Sequence, residues 1–192
     1  MEKSYWENRY AKQETGWDMG SISPPLQHYF ETLTNRSLNI LIPGCGNAWE
    51  AAWLHEHQFS QITIIDFAEA PLLRFRENNP SFPKHHVIQG DFFDLQGQFD
   101  LIVEQTFFCA IQPSIRLRYV QKMNALLKPG GHLAGLFFND PSLSTENPPF
   151  RCLEEEYKSL FSEYFCIKKW EMATDSIAPR AGRELFLILE KS

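Results

Sequence analysis

The 192-residue chain lacks the cysteine spacings and the long apolar runs that indicate several common classes of protein. Its four cysteines, Cys45, Cys109, Cys152 and Cys166, are 64, 43 and 14 residues apart with no CxxC pair, so we expect neither a metal site nor a disulfide framework. No apolar run approaches the ~20 residues of a membrane span, and the polar start Met1-Glu2-Lys3-Ser4 is not typical of a signal peptide. We therefore expect a reducing, cytoplasmic setting.

An excess of positive charge is also missing. The chain has 18 Lys and Arg against 24 Asp and Glu, a net charge of −6, which argues against duplex DNA or an anionic membrane as partner. Its 43% hydrophobic and 22% charged residues are typical of a globular protein of one domain. We expect a single domain over residues 1–192, monomeric, with a small molecule as its partner.

Short apolar runs alternate with helical patterns along most of the chain. Five runs are typical of buried strands, at 38–42, 62–65, 86–89, 101–103 and 133–138. Helical patterns lie between them: one begins at Asn47 with Glu50 in a capping-box spacing, one runs through Pro71 to Asn78, and one covers about 114–127. This alternation predicts right-handed crossovers and a mostly parallel sheet covered by helices on both faces.

The last fifty residues follow a different pattern. A loop at 141–149 and a helix at 153–164 precede two strands, at 165–172 and 184–190, joined by a loop of about eleven residues. We expect these strands to pair antiparallel at the edge of the sheet. The predicted fold class is therefore α/β, with a mostly parallel seven-stranded sheet and a C-terminal antiparallel edge pair.

Glycines and acids follow the predicted strands where an open parallel sheet binds its ligands. Gly44 and Gly46 allow backbone to approach a ligand, and Asp66 can accept both hydroxyls of a ribose. Asp91 can accept an adenine amino proton. Two other interpretations stay open: glycines in a tight turn without a ligand, and an NAD enzyme. Trp49 stands where the dinucleotide fingerprint has its third glycine, which favours a single nucleoside such as S-adenosylmethionine.

Motifs over nearly the whole length resemble the thiopurine S-methyltransferase family of class I methyltransferases, which includes the plant halide and thiol methyltransferases. The motifs are Gly16-Trp17-Asp18-Met19-Gly20, Pro43-Gly44-Cys45-Gly46-Asn47-Ala48-Trp49-Glu50, Phe107-Phe108-Cys109-Ala110-Ile111, Leu127-Lys128-Pro129-Gly130-Gly131 and Pro148-Pro149-Phe150. The resemblance implies a Rossmann-like class I methyltransferase fold. It also implies S-adenosylmethionine as cofactor.

The resemblance further implies which residues hold the cofactor. They are Trp6, Tyr10, Trp17, Gly44, Cys45, Gly46, Asp66, Asp91, Phe92 and Gln105. Residues 1–20 would form a lid whose aromatic rings attract the sulfonium cation. The alternative for Trp6 and Tyr10, one helical turn apart, is simple packing on the core. Gln105 stands where relatives often have tyrosine, and Glu104 where they often have aspartate.

An acceptor site is implied in the same way. Arg116 is the candidate catalytic residue, which would hold an anionic acceptor or polarise a water molecule; the alternative is an ordinary exposed arginine at a helix start. Phe107 and Phe150 would form an apolar wall, and Arg180 and Arg183 are further candidates for contact with an anion. Phe150 stands where halide-type relatives tend to have tyrosine, which favours a larger thiol acceptor.

The expected function is methyl transfer from S-adenosylmethionine to a small thiol, with halide or thiocyanate methylation as the nearest alternative. A binding protein without catalysis is the alternative from another class. The string Asn147-Pro148-Pro149-Phe150 also occurs in DNA amino-methyltransferases, but there it follows strand four, where this chain has Glu104-Gln105-Thr106-Phe107. We therefore expect no nucleic acid partner.

Overall fold

The computed structural model describes residues 3–192, so Met1 and Glu2 of the expected lid and polar start lie outside the described residues. Seven strands are β1 (Asn39–Pro43), β2 (Gln61–Asp66), β3 (Val87–Gln89), β4 (Phe99–Gln105), β5 (Leu127–Phe138), β6 (Phe165–Met172) and β7 (Glu184–Lys191). The α-helices of this range are α1 (Lys3–Ala11), α2 (Pro24–Thr32), α3 (Trp49–Glu56), α4 (Glu69–Asn78), α5 (Arg116–Leu126) and α6 (Glu154–Phe161).

The strands form one sheet in the order β3-β2-β1-β4-β5-β7-β6. β1 to β5 pair in parallel, whereas β7 lies antiparallel to both β5 and β6. The predicted seven-stranded, mostly parallel sheet with an antiparallel C-terminal edge pair is therefore confirmed. Its strand order reverses at β1, so the carboxyl ends of β1 and β4 border the crevice where open α/β sheets bind ligands.

Two hydrophobic cores cover the two faces of the sheet. Side chains alternate along a strand, so Ile40 and Ile42 of β1 lie in one core with residues of α2, α3 and α4. Leu41 points the other way and lies in the second core with residues of α5 and α6. Burial on both faces explains why β1 is an uninterrupted apolar run rather than an alternating one.

The capping box expected at Asn47 does not form. The helix begins at Trp49, and the Asn47 amide donates instead to the Asp18 carboxylate. The Glu50 carboxylate accepts the backbone N–H of Ser23 at 3.2 Å rather than turning back on its own helix. Both side chains thus tie the glycine loop to the N-terminal segment, because tertiary partners replace the local backbone groups.

Other boundaries differ by a few residues, and two helices were not predicted. α5 starts at Arg116 after a short 3₁₀ turn, and β5 starts at Leu127 rather than at 133. The early start of β5 pairs Leu127 with Phe99, and a Cβ on Gly131 would lie 3.1 Å from the Phe99 carbonyl oxygen. The unpredicted helices α1 and α2 flank the cavity and the sheet.

Candidate active site

A cavity of about 510 Å³ lies at the carboxyl ends of the parallel strands. One wall follows β1, β2 and β3 and includes Gly44, Asp66 and Asp91. The opposite wall follows β4 and β5 and includes the loop between β6 and β7, and α1 with Trp17 covers the opening. Most of the lining is apolar, with a few polar groups, which is the usual character of a small-molecule site.

Two glycines fix the loop between β1 and α3. Gly44 and Gly46 have φ angles of +57° and +52°, a region that side chains disfavour. A Cβ on Gly44 would lie 2.2 Å from the Phe107 ring, and one on Gly46 would lie 2.9 Å from the Tyr10 hydroxyl. Neighbouring side chains therefore occupy the space that any larger residue would need.

Asp66 ends β2 and lines the cavity. Its Oδ2 accepts the Gly46 N–H at 2.8 Å, and its Oδ1 accepts the Ala68 N–H at 2.9 Å. Burial raises the pKa of Asp66, and these backbone N–H groups oppose the rise. Because an ionised carboxylate offers about four acceptor positions, the anchored group can still accept two hydroxyl protons from a ligand.

Asp91 and Phe92 follow β3, also on the cavity wall. Asp91 Oδ1 accepts the Phe93 N–H at 2.8 Å and so begins a short 3₁₀ turn. The Phe92 ring lies edge-on to Phe107, with 5.3 Å between their centroids. This corner combines a carboxylate acceptor with aromatic surface, which suits a flat heterocycle with an amino group.

Aromatic side chains cover the cavity. The Trp17 ring lies edge-on between Trp6, at 5.4 Å, and Tyr10, at 5.6 Å, and all three line the cavity. Tyr10 is the only described residue of α1 that is buried, and burial raises the pKa of its hydroxyl. The described part of the N-terminal segment therefore packs its aromatic rings at the cavity, and its closure over a cofactor as a lid stays a prediction.

A smaller polar pocket of about 40 Å³ adjoins the cavity. Cys45, Gly46 and Gln105 line it rather than the larger cavity, together with Asp18, Met19 and Glu50. Burial raises the pKa of Glu50. Carboxylates and amides in this pocket suit a charged, hydrogen-bonding group such as an ammonium.

Two of the predicted arginines line the cavity, and each is paired with an acid. Arg180 donates to Glu184 Oε1 at 3.1 Å and to the Trp17 carbonyl oxygen at 2.6 Å. Arg183 donates to Asp140. Both guanidinium groups lie over the Phe138 ring, at 5.4 and 5.9 Å. Arg180 thus joins the β6–β7 loop to the aromatic cover.

Arg116 and Phe150 lie outside the cavity lining, which corrects their expected place. Phe150 is 4% exposed, and the Arg116 guanidinium is buried, donating to the carbonyl oxygens of Phe150 and Arg151 at 3.2 and 2.9 Å. Arg116 also lies 4.9 Å from the Phe108 ring centre. Its charge is therefore used to hold the loop after β5, and the side chain is not the exposed arginine of the alternative.

Glu104, which the sequence shows at a strand end where relatives often have aspartate, lies behind the cavity lining. It is fully buried at the end of β4, and its Oε1 accepts the N–H groups of Phe107 and Phe108 at 2.6 and 2.9 Å. Burial raises the pKa of Glu104 to about 8. Cavity-lining residues that the sequence did not indicate include Tyr5, Arg9, Thr106 and Arg118.

Two features are absent from residues 3–192. Within that range no three His, Cys, Asp or Glu side chains are grouped as they would be to bind a metal ion. The same part of the chain contains no helix with both the length and the apolar character needed to span a bilayer.

Comparison with known proteins gives both a family and a fold. The chain matches the family described as Thiopurine S-methyltransferase (TPMT) over residues 1–187. It is 30% identical over 188 residues to a probable thiol methyltransferase 2 of Arabidopsis thaliana, covering 93% of this chain and 81% of the relative. It is 31% identical over 144 residues to thiocyanate methyltransferase 1 of Arabidopsis thaliana, covering 72% of this chain and 63% of the relative.

A solved structure supports the fold. The crystal structure of 1,6-didemethyltoxoflavin-N1-methyltransferase from Burkholderia thailandensis, with bound 1,6-didemethyltoxoflavin and S-adenosylhomocysteine, superposes with a TM-score of 0.80. The superposition covers 99% of this chain and 87% of that one, at 19% identity. The sheet and helices described above are therefore those of a class I methyltransferase.

Proposed function

Because the chain belongs to the thiopurine S-methyltransferase family, we propose that its cavity binds S-adenosylmethionine together with a small thiol, to which the methyl group is transferred. The chain is an S-adenosylmethionine-dependent methyltransferase by this membership. Family membership does not identify the methyl acceptor, which we propose to be a small thiol. The observation that carries it is the apolar wall of the cavity opposite Asp66 and Asp91.

The residues of the cavity fit the cofactor. Asp66 is anchored with free acceptor positions for two ribose hydroxyls, and Asp91 with the rings of Phe92 and Phe107 suits adenine. The polar pocket beside Gly46 suits the charged amino acid end of the cofactor. When bound, S-adenosylmethionine supplies a methyl group that is already activated by its sulfonium charge.

Such a reaction needs alignment and exclusion of water more than it needs a strong base. Placing nucleophile and carbon at ~3–3.5 Å in line can contribute roughly 7–11 kcal/mol. We assign the exclusion of water to Trp6, Tyr10 and Trp17, which close the cavity from above. A thiol of low pKa binds as thiolate, so its proton leaves before transfer.

The acceptor wall favours a thiol with an apolar body. Phe107, Ile111, Ile115, Leu143 and Pro148 line it, and burial of hydrocarbon against them stabilises an aromatic thiol. A bare halide ion gains nothing from such a surface, because an ion needs donors to replace its water shell. The guanidinium groups of Arg180 and Arg183 also line the cavity, but each is paired with an acid, so burial of the apolar body rather than charge favours the thiol over a halide ion.

Arg116 has an indirect role in this proposal. It holds the carbonyl groups of Phe150 and Arg151, and Pro148 and Pro149 of the same loop line the cavity. We therefore propose that Arg116 positions the acceptor wall. Nη2 donates both bonds, and the planar guanidinium also lies over the Phe108 ring. Lysine keeps the charge but not this planar group, so Arg116→Lys should recover only part of the kcat/KM that Arg116→Ala loses.

Halide or thiocyanate methylation is the second candidate, favoured by the likeness to thiocyanate methyltransferase 1. Turnover of S-adenosylmethionine with thiophenol, iodide and thiocyanate in competition separates the two. We expect a higher kcat/KM for thiophenol, and a preference for iodide or thiocyanate would contradict the thiol assignment. If the protein binds S-adenosylhomocysteine but methylates none of these acceptors, it is a binding protein without catalysis. The monomeric state and the cytoplasmic setting remain predictions, which light scattering and cell fractionation check.

A further inference from the structure

Three residues line both the large cavity and the small polar pocket: Trp17, Gly44 and Thr106. Under the proposed function, the cavity holds the nucleoside and the acceptor, and the pocket holds the charged end of the cofactor. The sulfonium joins these two parts of one molecule. The wall shared by the two spaces is therefore where the transferred methyl group has to be, and Thr106 is the hydroxyl residue on that wall.

Thr106 has an unusual backbone conformation. Its φ angle is +60°, and a β-branched residue in this left-handed region is a genuine outlier. Backbone strain of this kind persists only where the surrounding structure imposes it, and it is found most often at functional sites. Glycine would adopt the same angle without strain, so the presence of threonine indicates that its side chain is needed.

The surroundings of Thr106 impose this conformation. Glu104, two residues before it, is fully buried and accepts the N–H groups of Phe107 and Phe108, two residues in the turn that follows. The Thr106 carbonyl oxygen accepts the Cys109 thiol proton at 3.1 Å. Bonds on both sides of Thr106 thus fix the turn independently of any ligand.

The hydroxyl of Thr106 is prepared to act as an acceptor. Its Oγ1 donates to the Gln105 carbonyl oxygen at 2.7 Å. The single hydroxyl proton is used in that bond, so only lone pairs are left for other contacts. Thr106 is half-buried, and an oxygen in such a site interacts with positive charge more strongly than one in bulk water.

We propose that Thr106 is a further positioning residue of this methyltransferase, whose Oγ1 lone pairs contact the sulfonium and its polarised methyl hydrogens. The contact aligns the methyl group with the acceptor and favours the charged S-adenosylmethionine over the neutral product S-adenosylhomocysteine. This inference rests on the proposed cofactor site. It assigns no proton transfer to Thr106, because the hydroxyl proton is held by Gln105.

Binding of the two cofactor forms tests the proposal without turnover. Calorimetry gives the Kd of S-adenosylmethionine and of S-adenosylhomocysteine for the wild type, Thr106→Val and Thr106→Ser. Thr106→Val keeps the branched shape and loses the oxygen, so its affinity for S-adenosylmethionine should fall by about 3- to 10-fold relative to its affinity for S-adenosylhomocysteine. Thr106→Ser keeps the oxygen and should retain the wild-type ratio.

A purely structural role predicts another result. If Thr106→Val weakened both ligands equally, or neither, the contact with the sulfonium would be wrong. Thr106→Gly provides a second comparison with Thr106→Ser if the valine variant does not fold, because glycine relieves the strained angle and should not lower Tm. The glycine variant should lose the same discrimination, and a wild-type ratio in it would overturn the proposal.

The proposed function has its own outcome in this experiment. If wild-type protein bound neither ligand, the cofactor site would be wrong, whatever the role of Thr106. If wild-type protein bound both and all variants kept its ratio, the cofactor site would stand and the role of Thr106 would fail. The single-turnover rate constant with thiophenol should fall in Thr106→Val. The KM for the thiol, measured from steady-state rates, should change little.

Discussion

The two walls of the cavity are built in different ways. On the wall after β2 and β3, each carboxylate is held by backbone N–H groups alone: Asp66 by those of Ala68 and Gly46, and Asp91 by that of Phe93. The wall after β4 and β5 adds bonds between long side chains and distant segments to the local turn held by Glu104. Arg180 reaches Trp17, 163 residues away, and Arg183 reaches Asp140, 43 residues away.

This difference separates a fixed part of the site from an adjustable one. Backbone N–H groups hold the carboxylates of the cofactor wall directly at the ends of β2 and β3. The acceptor wall consists of loops held by long side chains, and such loops tolerate changes in sequence more readily. We infer that acceptor preference can change on this wall without loss of the cofactor site.

The largest effect should come from the acceptor wall at Arg180, whose guanidinium group binds Glu184, four residues along the chain, and the distant Trp17 carbonyl oxygen. Its side chain and that of Glu184 are 8% and 2% exposed, so Arg180→Met leaves a buried carboxylate without its cation. Loss of one partner of a buried pair costs about 3–5 kcal/mol of unfolding free energy. Urea unfolding measures it, with Arg180→Met/Glu184→Gln as the control that should recover most of the loss. A single variant as stable as the wild type would contradict the assignment of Arg180 as an anchor of this wall.

The next largest effect should come from the cofactor wall at Asp66. Asp66→Ala removes two charge-assisted hydrogen bonds, each of ~1.5–3 kcal/mol, so affinity for S-adenosylhomocysteine should fall by about 100-fold or more. Calorimetry on folded protein measures it, and Asp94→Ala, an exposed acid beyond the cavity lining, is the matched control. Near-native affinity in the Asp66 variant would rule out the ribose assignment.

A smaller effect should appear in the pH dependence of stability, through Glu104 at the start of the acceptor wall. Its pKa is raised to about 8 by burial, so the folded protein holds this proton more tightly than the unfolded chain does. Stability should therefore fall as pH rises from about 4.5 towards 8, with a slope of at most ~1.4 kcal/mol per pH unit from this group.

Glu104→Gln isolates that contribution. The variant cannot ionise but keeps an oxygen for the N–H groups of Phe107 and Phe108, so its unfolding free energy should decline less with pH than that of the wild type. Urea unfolding between pH 5 and about 8 compares the two. Parallel curves would mean that Glu104 titrates normally in the folded protein.

The smallest effect should be a change in amide hydrogen exchange in the N-terminal segment that carries Trp6, Tyr10 and Trp17. α1 buries only Tyr10 among its described residues, so we expect backbone amides of residues 5–17 to exchange readily in free protein. Adding S-adenosylhomocysteine should slow them, while amides of β5 should be unaffected. Equal exchange with and without ligand would show that this segment is static packing rather than a lid.

Patterns within short stretches of the sequence predict most of the fold. Apolar runs such as 38–42 were recognised as strands because burial on both faces leaves no polar alternation. The acids Asp66 and Asp91 were found because a strand end fixes where the next side chain lies. The helix α1 was missed because its sequence KSYWENRYA carries no amphipathic stripe, and only Tyr10 becomes buried.

Short stretches of sequence suffice to predict the strands, the glycine loop and the acids Asp66 and Asp91, because apolar runs, turn glycines and strand-end acids are local patterns. Which arginines line the cavity depends on tertiary structure. Arg116 is turned to the carbonyl groups of Phe150 and Arg151, and Arg180 is aimed at Trp17, through contacts between segments far apart in the chain. It also decided the conformation of Thr106, since a left-handed threonine contradicts local preference and exists only where surrounding bonds impose it.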